Sequence, residues 1–132
     1  MNIEEKIAYW LKSADSDLNA SNALYHNKSY LQMSFFCHLV IEKTLKAYHW
    51  YKLRQEPSYT HNLIKLAKDT GLFDVFSQGQ IEFIASLMPL NLKGRHSDDQ
   101  DAILSNLSES DFTAIFTKTE ELSLWIKKYM TK

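Results

Sequence analysis

Apolar residues recur along most of this chain at three- and four-residue steps, the spacing that keeps them on one face of an α-helix. Near the N-terminus Ile3, Ile7, Trp10, Ala14, Leu18 and Tyr25 form one such stripe, with Glu5, Lys12, Asp15 and Asn19 opposite. This predicts a helix over 3–25, closed by the polar turn "HNKS". A second helix is predicted over 29–54. Pro57 blocks its continuation, because proline lacks an N–H and restricts the residue before it. A short third helix is predicted over 60–70, with Thr60 as N-cap and Gly71 as its stop. A fourth starts near Gly79, uses Ile81, Ile84 and Met88, and is kinked or ended by Pro89. The stretch "GRHSDDQDAILSNLSES" has no clear period and reads as a loop. A last helix is predicted over 109–129, with Phe112, Ile115, Phe116, Leu122, Ile126 and Tyr129 as its core stripe. Ser108 and Asp111 stand at the capping-box spacing, with Asp in place of the usual Glu.

Four long helices with short or medium connections pack naturally against one another in alternating directions. The expected fold is therefore all-α, an antiparallel up-and-down four-helix bundle with one additional short helix, in a single domain over 1–132. No alternating strand pattern competes, and three Gly and two Pro supply few turns for a β architecture. The length suffices for a core without disulfides or metal. A hydrophobic content of 45% with 13% aromatics argues against disorder.

The second helix divides unevenly around its axis. Met33, Phe36, Cys37, Val40, Ile41, Ala47, Tyr48 and Tyr51 cover one broad side, expected to face the core. His38, Glu42, Lys46 and His49 form a polar stripe on another side, with Lys43 beside it. Glu42 and Lys46 have the favoured order of an exposed helical ion pair, worth roughly 0.2–0.5 kcal/mol, and a solvated face is the simplest reading. Against it, Leu31, Phe35, Leu39, Leu45 and Trp50 are interleaved with the stripe. A helix apolar nearly all round is covered on more than one side, here by another helix or by a second subunit. Charges on such a face need partners.

Charge and cysteine content narrow the chemistry. The formal net charge is −1, so contact with a polyanion would need a local basic patch. The single Cys37 excludes an internal disulfide, and its apolar face predicts an inert buried thiol. No metal site is expected: His38 and His49 lie three turns apart, and no His-Glu-x-x-His motif occurs. There is no P-loop or dinucleotide glycine pattern, and no cofactor is expected. The Tyr and Trp residues fall at helical spacing, which favours core packing over base stacking. "MNIEEKIAYW" lacks the apolar core of a signal peptide, and no run could span a bilayer, so a cytoplasmic setting without membrane is expected.

Three segments together resemble a known family: "FFCHLVIEKTLKAY", then "YTHNLIKLAK" after a proline, then "LKGRHSDD". The resemblance is to the HEPN domain, a small helical domain found beside minimal nucleotidyltransferases and in many prokaryotic RNases. Its Glu-Lys-x-Leu-Lys-Ala core appears as Glu42, Lys43, Leu45, Lys46 and Ala47. Its Thr-His-x-Leu element appears as Thr60, His61 and Leu63. Its Arg-Tyr-Pro-Asp-like segment is reduced to Arg95 and Asp98, with His96 and Ser97 replacing Tyr and Pro, and Asn91 standing where Tyr is common.

The resemblance implies a helical bundle that forms homodimers with a cleft between subunits. In the RNase branch the cleft carries an Arg, four to six intervening residues, and a His, which together promote attack of a ribose 2′-OH on the adjacent phosphate without metal. Here Gln100, Asp101 and Ala102 occupy the positions for that His, and the nearest His is His96, adjacent to Arg95. The leading expectation is thus a nucleotide- or RNA-binding module, acting with a separate nucleotidyltransferase partner as in toxin–antitoxin pairs. Arg95 would contact phosphate, with Asn91, His96 and Lys46 assisting and Glu42, His61 and Asp98 in support. One alternative is a metal-independent RNase using Arg95 and His96 as catalytic residues. Another is a helical protein-interaction domain without a ligand.

Overall fold

A computed structural model describes residues 1–92 and 96–131. Every regular element among them is helical: α1 (Ile3–His26), α2 (Tyr30–Leu53), α3 (Leu63–Asp69), α4 (Leu72–Val75), α5 (Gln78–Leu87), a 3₁₀ turn (Met88–Leu90), α6 (Ser97–Asn106) and α7 (Glu109–Met130).

Local chemistry sets the boundaries. At the start of α1 the Asn2 side chain accepts the Glu5 N–H at 2.8 Å, and the Glu5 carboxylate accepts the Asn2 N–H at 3.2 Å. The same reciprocal box opens α5 through Ser77 and Gln80, and α7 through Ser108 and Asp111, as the spacing predicted for α7. The Ser108 backbone N–H holds the Asp111 carboxyl below its usual pKa. α2 ends where Arg54 turns left-handed, at φ 57°, three residues before Pro57. Gly71 likewise stops α3 at φ 81°, the conformation a glycine adopts without penalty.

Three expectations need correction. The cap of α3 is Asn62, whose side chain accepts the Lys65 N–H, while Thr60 Oγ1 accepts the Asn62 N–H and shapes the turn ahead of it. The additional helix α4 was not foreseen. The stretch read as a loop contains α6, which is helical although none of its residues is buried. Asp98 and Asp99 lie in its first turn, where carboxylates favour a helix start.

Side-chain pairs fix how the long helices run. Glu4 pairs with Arg54 and Asp17 with Lys43, so α1 and α2 are antiparallel. Tyr30 stacks on Phe112 at one end and Tyr48 meets Tyr129 at the other, so α2 and α7 are parallel. Tyr25 stacks on Phe116, and Asp15 pairs with Lys127, which ties α1 antiparallel to α7. α3, α5 and the 3₁₀ turn add Leu63, Leu66, Ile84, Leu87 and Leu90 to the same core.

α2 is the central element. Fifteen of its 24 residues are buried, so most of its apolar circumference is covered inside one chain, while Phe35, Phe36 and Leu39 are half-buried. The expected core face holds for Met33, Cys37, Val40, Ile41, Ala47 and Tyr48, whereas Tyr51 is exposed and Phe36 half-buried. Burial pushes the Cys37 thiol up to about 11, which leaves it protonated and inert at neutral pH.

Candidate functional site

The polar stripe of α2 is not a solvated face. His38, Glu42, Lys46 and His49 are all buried, Glu42 to 4% exposure. Glu42 and His49 reach the segment 54–62 that joins α2 to α3, and Lys46 reaches both Trp10 of α1 and Tyr59 of that segment. Helical spacing alone aligns them, since residues three and four apart stack on one side. What buries them is the hairpin partner α1 and the return of the chain after Pro57.

Glu42 is the centre of a network. Its Oε2 accepts a hydrogen bond from Lys46 Nζ at 3.0 Å. Its Oε1 lies 2.9 Å from His61 Nδ1. A carboxylate only accepts, so that nitrogen carries the hydrogen. The Glu42–Lys46 pair is therefore a buried ion pair held by a third donor, the arrangement that lets a desolvated charge persist.

His38 Nδ1 stands 3.7 Å from Glu42 Oε1, too far for a hydrogen bond. Neither of its ring nitrogens meets hydrogen-bond geometry with the described residues. Burial lowers its pKa; the Glu42 carboxylate and the His61 backbone pull the other way, while the His61 and Lys46 charges add to the lowering. His49 uses Nδ1 differently, 3.0 Å from the Gln55 carbonyl oxygen, and so clamps the start of the 54–62 segment to α2.

Beyond Lys46 the site opens into a pocket of about 260 Å³ between α1 and the 54–62 segment. Lys46 Nζ lies 5.3 Å from the centre of the Trp10 ring and 5.9 Å from that of Tyr59. Lys6 Nζ lies 4.3 Å from the Trp50 ring. All three are cation–π distances. Met1, Tyr9, Glu56, Pro57 and Ser58 complete the rim.

The structure brings together Glu42, Lys46 and His61, three of the residues singled out in the sequence. Asn91 is half-buried at the end of the 3₁₀ turn. His96 is exposed and precedes α6, and Asp98 is exposed in the first turn of that helix. Arg95 lies outside the described residues. The aromatic pocket was missed. Its signal lay in hairpin register: an antiparallel α1–α2 pair that joins residue 4 to 54 and 17 to 43 must bring Trp10 level with Lys46 and Trp50.

The sequence profile of the HEPN domain matches residues 7–129. The chain belongs to the HEPN domain family. No curated protein and no solved structure is significantly similar to it. The matched span of this HEPN domain runs from the first turns of α1 to the end of α7 and includes every residue of the Glu42 network. Among the described residues no helix is long and apolar enough to cross a membrane.

Proposed function

We propose that this HEPN domain is a nucleotide- or RNA-binding module, with α1, α2, α5 and α7 as the long members of a four-helix bundle. It works in the cytoplasm as a homodimer, beside a separate nucleotidyltransferase partner. Arg95 contacts phosphate, and His96 and Asn91 assist. Glu42, Lys46, His61 and Asp98 support the binding face.

One observation carries this reading. The two most specific family motifs, Glu42–Ala47 on α2 and Thr60–Leu63 at the start of α3, meet at the Glu42–His61 hydrogen bond, buried on the Glu42 side and partly exposed at His61. A buried carboxylate that gathers a lysine and a histidine adds little net stability. It does hold cationic and proton-bearing groups in fixed positions, which an anion-binding face requires.

The test is a titration of nucleotides and short RNA into wild type and Arg95→Ala. Binding that weakens at least tenfold in the variant supports the reading; equal binding removes Arg95 from it. The exposure of His96 beside Arg95 favours a second reading, a metal-independent RNase. Cleavage of RNA by metal-stripped protein, lost in both Arg95→Ala and His96→Ala, would establish that reading over simple binding.

A further inference from the structure

We infer that the pocket between α1 and the 54–62 segment holds a planar aromatic ring carrying one anionic group, a nucleobase with its phosphate. The inference rests on the nucleotide-binding reading for the class of ligand, and it places the base in a pocket whose described lining includes none of Asn91, His96 and Asp98.

Three properties of the pocket select that ligand. Its walls are rings: Trp10, Trp50 and Tyr59. Tyr59 is 99% exposed, so its ring is available to a stacking partner without any rearrangement of the core. Base–aromatic stacking is worth about 1–3 kcal/mol per base and tolerates any base.

The charges set the sign. Lys6 forms no ion pair with a described carboxylate, and its ammonium lies over Trp50 at the mouth. Lys46 gives one of its three N–H groups to Glu42 and also lines the pocket, its ammonium 5.3 Å from the Trp10 ring centre and 5.9 Å from that of Tyr59. A cationic ligand seeking the ring faces would meet these two ammonium groups, so the pocket is no cage for a quaternary amine.

Size and net charge set the limit. Glu42 beneath Lys46 and Glu56 at the rim keep the positive charge low. About 260 Å³ is small beside the 300–1,000 Å³ of ordinary ligand sites. One base with one phosphate suits this space and charge, and a triphosphate gains nothing further. A free nucleoside monophosphate and a single nucleotide of an RNA strand present the same chemistry.

Two of the three tryptophans line the pocket, so their fluorescence reports occupancy, while Trp125 is stacked on Tyr129 of α7. The experiment titrates adenosine monophosphate, adenosine triphosphate, adenosine, inorganic phosphate and a short single-stranded RNA into wild type, Tyr59→Ala, Lys6→Glu and Arg95→Ala. Circular dichroism melts confirm that each variant is folded; the exposure of Tyr59 makes its truncation safe.

The monophosphate is expected to quench tryptophan emission, with adenosine and phosphate alone each at least tenfold weaker and the triphosphate no tighter. Tyr59→Ala and Lys6→Glu are expected to weaken the monophosphate by about tenfold. RNA binding tenfold tighter than the monophosphate, with the same dependence on Tyr59, identifies the strand as the source of the ligand. Equal affinities identify the free nucleotide. Binding that survives both pocket variants but falls in Arg95→Ala overturns this inference and leaves the proposed function standing. Binding lost in the pocket variants and kept in Arg95→Ala supports the inference and removes Arg95. No response to any base-containing probe overturns both.

Discussion

Glu42 concentrates the electrostatic risk of the molecule in one side chain. It is the only described carboxylate bonded to Lys46, and both side chains are almost fully buried. Glu42→Ala would strand the Lys46 ammonium, at a cost of about 3–5 kcal/mol. Glu42→Leu combined with Lys46→Met should recover most of that loss, because well-packed apolar residues avoid the desolvation cost altogether. Urea unfolding midpoints at constant slope measure both; a loss below 1 kcal/mol in the single variant would show that water reaches the pair. His38 makes a pH prediction. Its folded pKa is lowered from 6.5 by burial, with Glu42 and the His61 backbone opposing and the charges of His61 and Lys46 reinforcing. The unfolded chain therefore takes up a proton first as the pH falls. This contribution to stability is complete above pH 6.5 and is lost as the pH falls from there toward the folded pKa. His38→Leu should flatten that part of the profile. It should also stabilise the protein by about 1 kcal/mol at neutral pH, since it removes a buried ring with unsatisfied nitrogens. A slope unchanged in the variant would assign the acid sensitivity elsewhere.

Elements that bury a full stripe were legible, and elements that do not were not. α1, α2 and α7 each repeat their apolar spacing over many turns, and α7 adds a side-chain cap that fixes its first residue. α6 carries Ile103 and Leu104 but no buried residue, and Leu104 is 48% exposed, so no periodic signal marks it. α4 is one turn long, too short for any period. The start of α3 was misplaced because Thr60 and Asn62 are both good caps, and only the hydrogen bond of Thr60 to the Asn62 N–H decides between them. Gly71 offers an isolated test of backbone conformation: a methyl group there meets nothing within 4 Å, yet φ is 81°. Gly71→Ala should therefore cost about 1–2 kcal/mol through the left-handed strain alone. Gly71→Asn should cost less, because asparagine tolerates that region. Thermal midpoints that drop equally for both would place the cause in packing rather than in the backbone.

At the scale of the whole molecule, the site was half legible for the same reason that the oligomer is testable. The polar stripe of α2 could be read from one helix, and His61 from the family resemblance. The aromatic pocket needs α1, α2 and the 54–62 segment together, and tertiary register is not written in any single stretch. The composition of α2 suggested that another helix or a second subunit covers it. The structure supplies most of that cover from α1, α3, α5 and α7 of one chain, with Phe35, Phe36 and Leu39 left half-buried, so the proposed homodimer rests chiefly on the family. A homodimer of this protein should then join subunits whose cores are already complete. Sedimentation at micromolar concentration should give twice the 15.4 kDa of one chain. Dilution should yield monomers that keep their helical circular dichroism, because no buried face of α2 is opened when they part. A mass of one chain throughout would sink the dimer. Dissociation accompanied by loss of helix would instead mean that the core of one chain does not stand alone, as in obligate dimers whose stability depends on protomer concentration.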